Sequence, residues 1–421
     1  MTEHNDDITH AFFSLHHGLP RQGPGSDATT RRLLGLAGPL PSRPRVLDLG
    51  CGPGRSALLL AAEAGAEVTA VDLHEPFLDE LRAAARARGL DGSIHAVKAD
   101  MAELPYQDGS FDLIWAESSA YSIGFDTALR AWRRLLAPGG TLVLTECEWT
   151  GANPSPEARA FWDRHYRLRT GDENLRAATA AGYSVLGVHQ QPESDWDAYY
   201  GPLRARAEAA DPGAPGMAEA LAATREELAM RQDHGGEYGY RGYVLRPAEP
   251  GGRRTRPETG ADIAAVHAVN AAAFPTEAEA DLVDALRRDT EAWLPGLSYV
   301  AEAADGTVVA HALITRCRVD GAPALALAPC AVLPDHQRSG AGSAVVRAAL
   351  AAARARGEQL VLVLGHPEYY PRFGFVPASR YGIRAPFDVP DEAMMALVWD
   401  GADGSPAVPQ GTIRYPAAFG V

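Results

Sequence analysis

Two segments of this chain set glycines and acids where an apolar strand runs into a helix, an arrangement suited to gripping a bulky charged molecule. The first is Val46-Leu-Asp-Leu-Gly-Cys-Gly-Pro-Gly54. Glycines at 50, 52 and 54 let the backbone approach a ligand where a Cβ would collide, and the helix start that follows attracts a carboxylate. Asp48 lies inside the segment, two residues before its first glycine. Asp72 ends the next apolar stretch, eighteen residues beyond Gly54, where an acid can bind both hydroxyls of a ribose. Asp100 and Met101 close a third such stretch (VKADM). The second segment, Leu333-Pro-Asp-His-Gln-Arg-Ser-Gly-Ala-Gly342, precedes an alanine-rich helix. Its successive N–H groups can form a nest for pyrophosphate, and Arg338 adds charge.

These residues need a scaffold, and the apolar pattern supplies one. Strands are predicted at Arg45–Leu49, Glu67–Val71, Ile94–Lys98, Phe111–Ala116 and Thr141–Glu146. Helices at Ser56–Ala64, Pro76–Arg88 and Ala128–Leu136 separate them. Apolar strands spaced by helices predict a doubly wound, Rossmann-like parallel sheet, which binds ligands at the carboxyl ends of its strands. Further on the order changes. Helices at Ala261–Ala273 and Ala280–Arg288 precede strands at Ser298–Ala303, Thr307–Arg318 and Ala324–Leu333, then helix Ser343–Gly357 and strand Leu360–Leu364. This predicts a second, mixed α/β domain. Between the two lies Arg246–Gly260 (RPAEPGGRRTRPETG), rich in Pro, Gly and charge with no apolar period. The expected domains are therefore 1–247 and 254–421.

The first set of motifs, with Phe111-Asp-Leu-Ile-Trp115 and Leu135-Leu-Ala-Pro-Gly-Gly140, resembles the class I S-adenosylmethionine-dependent methyltransferases over about 40–149. The resemblance implies S-adenosylmethionine as cosubstrate, with Asp48, Gly50, Gly52 and Gly54 near its methionine part, Asp72 on the ribose, and Asp100 and Met101 beside the adenine. Methyl transfer from an activated sulfonium mainly demands alignment and exclusion of water. Acceptor residues are expected at the ends of the fourth and fifth strands. Glu117 and Tyr121 are the catalytic candidates there, with Ser118, Glu146 and Trp149 nearby. A carboxylate and aromatic rings would suit a nitrogen nucleophile. The segment Gly18–Gly25 could close over the site as a lid, and Glu173-Asn174 and Ser194–Pro202 flank the fold.

Gln337, Gly340 and Gly342 fit the Q/R-x-x-G-x-G/A signature of the GNAT acyltransferases, and His366-Pro-Glu-Tyr-Tyr-Pro-Arg-Phe-Gly-Phe375 resembles their YxxxGF segment. The likeness runs over about 256–415. It implies acetyl-CoA as cosubstrate, held by Val332, Gln337, Arg338, Gly340 and Gly342, with Tyr370 near the thioester sulfur as general acid. Tyr369 and Tyr370 could equally pack against Phe373 and Phe375. His366, Glu368 and a strand-held water are open candidates for the base. Cys330 reads as a buried small residue rather than a nucleophile.

Composition narrows the alternatives. The 421 residues carry a formal charge of −15, which disfavours a nucleic-acid partner, and no NPPY-like tetrapeptide follows the fourth strand. Apolar runs such as Ala57–Ala62 fall far short of the roughly 20 residues that span a bilayer. Met1–Asp7 is polar and acidic, unlike a signal peptide, so a cytoplasmic location is expected. Cys51, Cys147, Cys317 and Cys330 are too scattered for a disulfide framework or metal site. The expectation is a bifunctional transferase acting on small amines or amino-acid-like compounds. The alternative keeps one domain catalytic and makes the other a cosubstrate-sensing module. The sequence leaves the oligomeric state open.

Overall fold

A computed structural model describes residues 2–248, 254–399 and 408–420. The chain divides into two compact units, residues 1–181 with 188–247, and residues 182–187 with 248–421.

The first unit is organised by a sheet whose strands are β1 (Arg45–Leu49), β2 (Glu67–Asp72), β3 (Ile94–Lys98), β4 (Phe111–Ala116), β5 (Leu136–Trp149), β6 (Arg169–Thr170), β7 (Tyr183–Gln190) and β8 (Tyr238–Pro247). Their order is β3-β2-β1-β4-β5-β8-β7, with β6 beside the end of β5. Strands β1 to β5 pair in parallel. β1 reads as continuous apolar sequence because both of its faces are covered; Val46, Leu47 and Leu49 are fully buried. The five expected strands are all parallel, and the sheet continues past them with β8, which runs antiparallel to β5 from Leu142↔Leu245 to Trp149↔Tyr238. That second partner extends β5 well beyond the expected 141–146.

The helices are α1 (Thr2–His16), α2 (Asp27–Ala37), α3 (Arg55–Ala64), α4 (Glu75–Ala87), α5 (Phe125–Arg133), α6 (Pro156–His165), α7 (Gly171–Ala180), α8 (Glu193–Ala209) and α9 (Met217–His234). Ser26 caps α2 by accepting the Thr29 N–H. Thr170 and Glu173 form a capping box on α7, and Asn174 donates to Glu148. Glu173 and Asn174 thus serve the local fold. An aromatic core joins Trp149, Tyr238 and Tyr240 of the sheet to Trp196, Tyr199 and Tyr200 of α8.

The second unit contains β9 (Arg254–Pro257), α10 (Ile263–Ala273), α11 (Ala278–Arg288), β10 (Ser298–Glu302), β11 (Val308–Val319), β12 (Ala322–Val332), α12 (Ala341–Ala355), β13 (Leu360–Leu364), β14 (Val376–Pro377), β15 (Ile383–Arg384), β16 (Met394–Val398) and β17 (Gly411–Arg414). Strands β9 to β12 form an antiparallel meander. The crossover through α12 then makes β13 parallel to β12, as the sequence pattern predicts. Val345, Val346, Ala349 and Ala353 of α12 seal the sheet against Tyr299, Ala312 and Ile314. β12 and β13 pair only at Leu325↔Val361 and Ala326↔Leu362.

Candidate active sites

In the first unit, Gly50, Gly52 and Gly54 all have left-handed φ, at 65°, 53° and 81°. A Cβ on Gly54 would overlap the Leu81 side chain and one on Gly50 would overlap Ser119. Both positions therefore demand glycine on two counts. The Gly52 N–H donates to Asp72 Oδ2 and the His74 N–H to Oδ1, each at 2.8 Å. A carboxylate oxygen accepts more than one hydrogen bond, so Asp72 is oriented yet retains capacity for two hydroxyls. Asp48 is 2% exposed, and its Oδ2 has no partner among the described residues. Burial, reinforced by Glu117 and Asp72, raises its pKa well above the usual carboxylate range. An orphaned buried acid beside a glycine cradle fits a site awaiting a cationic or hydrogen-bond-donating group. On the far side Asp100 accepts the Ala102 N–H, and the Trp132 indole donates to the Met101 carbonyl, fixing the turn after β3.

The segment expected to act as a lid lies on this cradle. Pro20 to Pro24 line a cavity of about 70 Å³ together with Asp48, Gly50, Gly52 and Glu117. Gln22 packs over Gly52, and Ser118 Oγ donates to the Pro24 carbonyl. Arg21 reaches across to Glu117 (2.8 Å) and back to Asp27 (3.0 Å). Arg21 and Gln22 carry no signal in a single sequence, because their partners are remote in the chain. Small-molecule pockets run to roughly 300–1,000 Å³, so the cavity under this segment is small for one.

The acceptor candidates fare differently from one another. Glu117 is fully engaged, accepting from Arg21, Thr30 and the Trp115 indole. Tyr121 is half-exposed and meets Tyr166 edge-on at 6.1 Å. Trp149 is buried in the aromatic core. Tyr166 was not singled out by sequence, since it lies beyond the strand ends where acceptor residues were sought.

In the second unit the glycine turn is open. Gln337, Arg338, Ser339 and Gly340 are all exposed. Gly340 caps α12 at φ 89°, with no side-chain cap and no acid in the first turn. The start of α12 therefore has no side chain to cap its first N–H groups, although Ala341 and Gly342 are themselves buried. Arg338 adopts φ 58°, an unusual conformation for a residue with a side chain, of the kind concentrated at ligand clamps. A Cβ on Gly342 would come within 3.0 Å of Val332 and 3.2 Å of the Tyr369 hydroxyl. These contacts, with the Tyr369 hydroxyl 3.3 Å from Ser343 Oγ, bring Val332, the glycine turn and the Tyr369-Tyr370 turn together.

Tyr370 is 9% exposed, and its ring covers Gly365 and touches Phe375. Burial holds its phenol protonated, with Cys330 and Tyr369 adding to the effect. It thus both packs and keeps a proton to give. Cys330 is pushed up to about 12 by burial, which leaves no thiolate for nucleophilic work at neutral pH. His366 and Glu368 are exposed.

A serine, a histidine and a glutamate also meet in this unit. Ser298 Oγ donates to Glu258 and lies 2.9 Å from His311 Nε2, while Asn270 donates to His311 Nδ1 at 3.0 Å. This pattern makes Nε2 the donor to Ser298, the reverse of what an activated nucleophile requires. His311 is fully buried and its pKa is lowered to about 3 by that burial. The group is a structural tie. Among the described residues no cluster of His, Cys, Asp or Glu is arranged to hold a metal, and no helix is long and apolar enough to cross a membrane.

Comparison with known proteins agrees with both units. Residues 46–140 match the methyltransferase domain family, and residues 264–375 match the acetyltransferase (GNAT) family. An uncharacterised N-acetyltransferase of Escherichia coli (strain K12), YjhQ, is 37% identical over 158 residues, 36% of this chain and 86% of YjhQ. The 27-O-demethylrifamycin SV methyltransferase of Amycolatopsis mediterranei is 36% identical over 136 residues, 31% of this chain. The match spans 50% of that methyltransferase. A methyltransferase from Geobacter sulfurreducens, solved with S-adenosyl-L-homocysteine, superposes with TM-score 0.50 at 22% identity, covering 57% of this chain and 97% of that one. This last likeness speaks to fold.

Proposed function

Because the chain belongs to the GNAT acetyltransferase family through its second unit and carries a methyltransferase domain in its first, we propose that it is a bifunctional transferase. One site methylates a small-molecule acceptor from S-adenosylmethionine, and the other acetylates an amine from acetyl-CoA. The observation that carries this reading is that both cosubstrate cradles keep their working parts. Asp48 and Asp72 stand beside the first glycine turn, and an uncapped helix start with Tyr370 frames the second.

In the first site, Asp72 takes the ribose hydroxyls, Asp48 faces the methionine ammonium, and Asp100 and Met101 border the adenine. Arg21 and Glu117 hold the lid shut once the cosubstrate is in, excluding water from the sulfonium. Glu117 thus acts through Arg21, and Tyr121 stands on the acceptor side. In the second site, Gln337, Arg338, Gly340 and Gly342 cradle the pyrophosphate, and Val332 borders the pantetheine arm. The acceptor amine attacks the thioester carbonyl, the C–S bond breaks and Tyr370 gives its proton to the departing thiolate; the proton shed by the nitrogen passes to solvent, from which Tyr370 is reprotonated. The functional domains are taken as residues 1–247 and 254–421; residues 249–253 of the intervening segment lie outside the described residues.

The test is calorimetry with each cosubstrate, followed by turnover with methyl- and acetyl-labelled donors against a metabolite panel. Turnover at both sites supports two enzymes. Binding without turnover at one site makes that unit a sensor. Failure to bind either cosubstrate overturns the reading.

A further inference from the structure

One carboxylate of the first unit is left unused by this reading. Glu146 lies near the carboxyl end of β5, is 2% exposed, and has no hydrogen-bond partner on either oxygen among the described residues. A buried acid in that condition must stay neutral or meet a cation. Its neighbours in the chain are not in that position. Glu148 accepts from Tyr243 and Asn174 and pairs with Arg241, and Glu117 has the three donors described above. The Tyr166 hydroxyl, which also meets the Phe125 N–H, approaches Glu146 and with Arg169 eases its charge, while Asp126 opposes them, but neither carboxylate oxygen gains a full hydrogen bond. Burial, aided by Glu148, pushes the Glu146 carboxyl to about 8.

Its location is equally specific. Thr145, the preceding residue, accepts the Ser118 N–H at 2.8 Å, and Ser118 lines the cosubstrate cavity. Tyr121 follows β4 on the same side, feels the charge of Glu146, and touches the Tyr166 ring at 6.1 Å. With Tyr121 at 48% exposure, one of these rings reaches solvent. An unpartnered acid behind two aromatic rings, one strand-end from the cosubstrate, suits a cation.

We propose that Glu146, with Tyr121 and Tyr166, forms the subsite for the nitrogen of the methyl acceptor, and that this acceptor is a basic amine. The proposal rests on the methyltransferase reading. The ammonium form enters and pairs with the Glu146 carboxylate, replacing a proton that leaves to solvent. Transfer of one ammonium proton to Glu146 then frees the nitrogen lone pair. The amine attacks the methyl carbon, the N–C bond forms, the S–C bond breaks, and its electron pair stays on sulfur. The product leaves as a methylated ammonium, and Glu146 keeps the proton.

The test uses full-length protein saturated with S-adenosylhomocysteine and titrated by calorimetry at pH 7 with dimethylamine, benzylamine and tyramine, and with benzyl alcohol as the uncharged comparison. Buffers of different ionisation enthalpy report proton release. The expected result is binding of at least one amine with release of about one proton, and no binding of the alcohol. Glu146→Gln should weaken that amine at least tenfold and abolish proton release, with S-adenosylhomocysteine affinity unchanged. Tyr121→Ala, at a half-exposed position, should weaken it several-fold with melting temperature unchanged, which keeps the test alive if Glu146→Gln misfolds. Equal binding of alcohol and amine, no bound amine, or wild-type behaviour of both variants overturns the proposal. Loss of S-adenosylhomocysteine binding by the wild-type protein would defeat the methyltransferase reading instead.

Discussion

The two glycine turns of this protein use the same donors, backbone N–H groups at a helix start, in opposite surroundings. The turn of the first unit is largely covered, with Gly52 and Gly54 buried. Leu81 fills the space at Gly54, Ser119 that at Gly50, and the Pro20–Pro24 segment covers the rest. The turn of the second unit is exposed, and nothing lies within 4 Å of a Cβ built on Gly340. Glycine is therefore needed for packing and conformation at Gly50 and Gly54, but for conformation alone at Gly340. On the proposed reading, the covered turn suits a sulfonium donor kept from water and the open one a pyrophosphate that tolerates solvent.

That contrast can be broken at several points. The largest effect is expected behind the open turn. Tyr370→Phe keeps the ring against Gly365 and Phe375 and removes only the hydroxyl. It should lower the kcat of acetyl transfer by roughly 10²–10⁴-fold, the range of general acids, with melting temperature and acetyl-CoA affinity nearly unchanged. A wild-type rate would make Tyr370 a packing residue alone.

Gly54→Ala forces a methyl group into Leu81 at a left-handed φ. Overpacking and conformational strain together cost roughly 2–4 kcal/mol, read as a lower melting temperature of the first unit. Gly340→Ala, in open space, carries only the conformational penalty of about 1–2 kcal/mol. If both variants melt alike, burial of the first turn is not what distinguishes them.

Two carboxylates of the first unit sharpen the comparison further. Asp72→Ala removes the acid that ties the turn and faces the ribose. A charged hydrogen bond is worth roughly 1.5–3 kcal/mol, so S-adenosylmethionine affinity should fall about tenfold or more; unchanged affinity would remove Asp72 from the site. Glu146 is read through pH. Burial pushes its folded pKa to about 8, well above the ordinary carboxylate range, so the folded state holds the proton more tightly than the unfolded one. The stability this contributes is complete below the unfolded value and is lost as pH rises through about 8. Glu146→Gln should therefore gain stability relative to the wild-type protein between pH 5 and 8.5, by an amount on the order of 4 kcal/mol. Parallel stability curves for the two proteins would show that Glu146 is not buried and unpaired.

Much of this architecture was legible in sequence because it rests on local rules. Alternating apolar stretches and helices foretold the β1 to β5 order, and a strand, glycine turn and alanine-rich helix foretold β12 and α12. The glycines announced themselves because backbone geometry excludes other residues from such turns. Asp48, Asp72, Asp100 and Tyr370 stood out through the likeness of their segments to family motifs, and their roles belong to the proposed function. What sequence could not supply was partnership. Nothing in the spacing distinguishes Glu117, engaged by Arg21, Thr30 and Trp115, from Glu146, whose two oxygens are buried without a hydrogen bond among the described residues. The lid likewise reads as a proline- and glycine-rich stretch until Arg21 is seen against Glu117. The antiparallel β8 and the extended β5 followed the same logic, since a strand lengthens when a distant partner pairs with it. Local propensity and backbone sterics are written residue by residue, whereas desolvation and hydrogen-bond satisfaction depend on which remote groups the fold brings together.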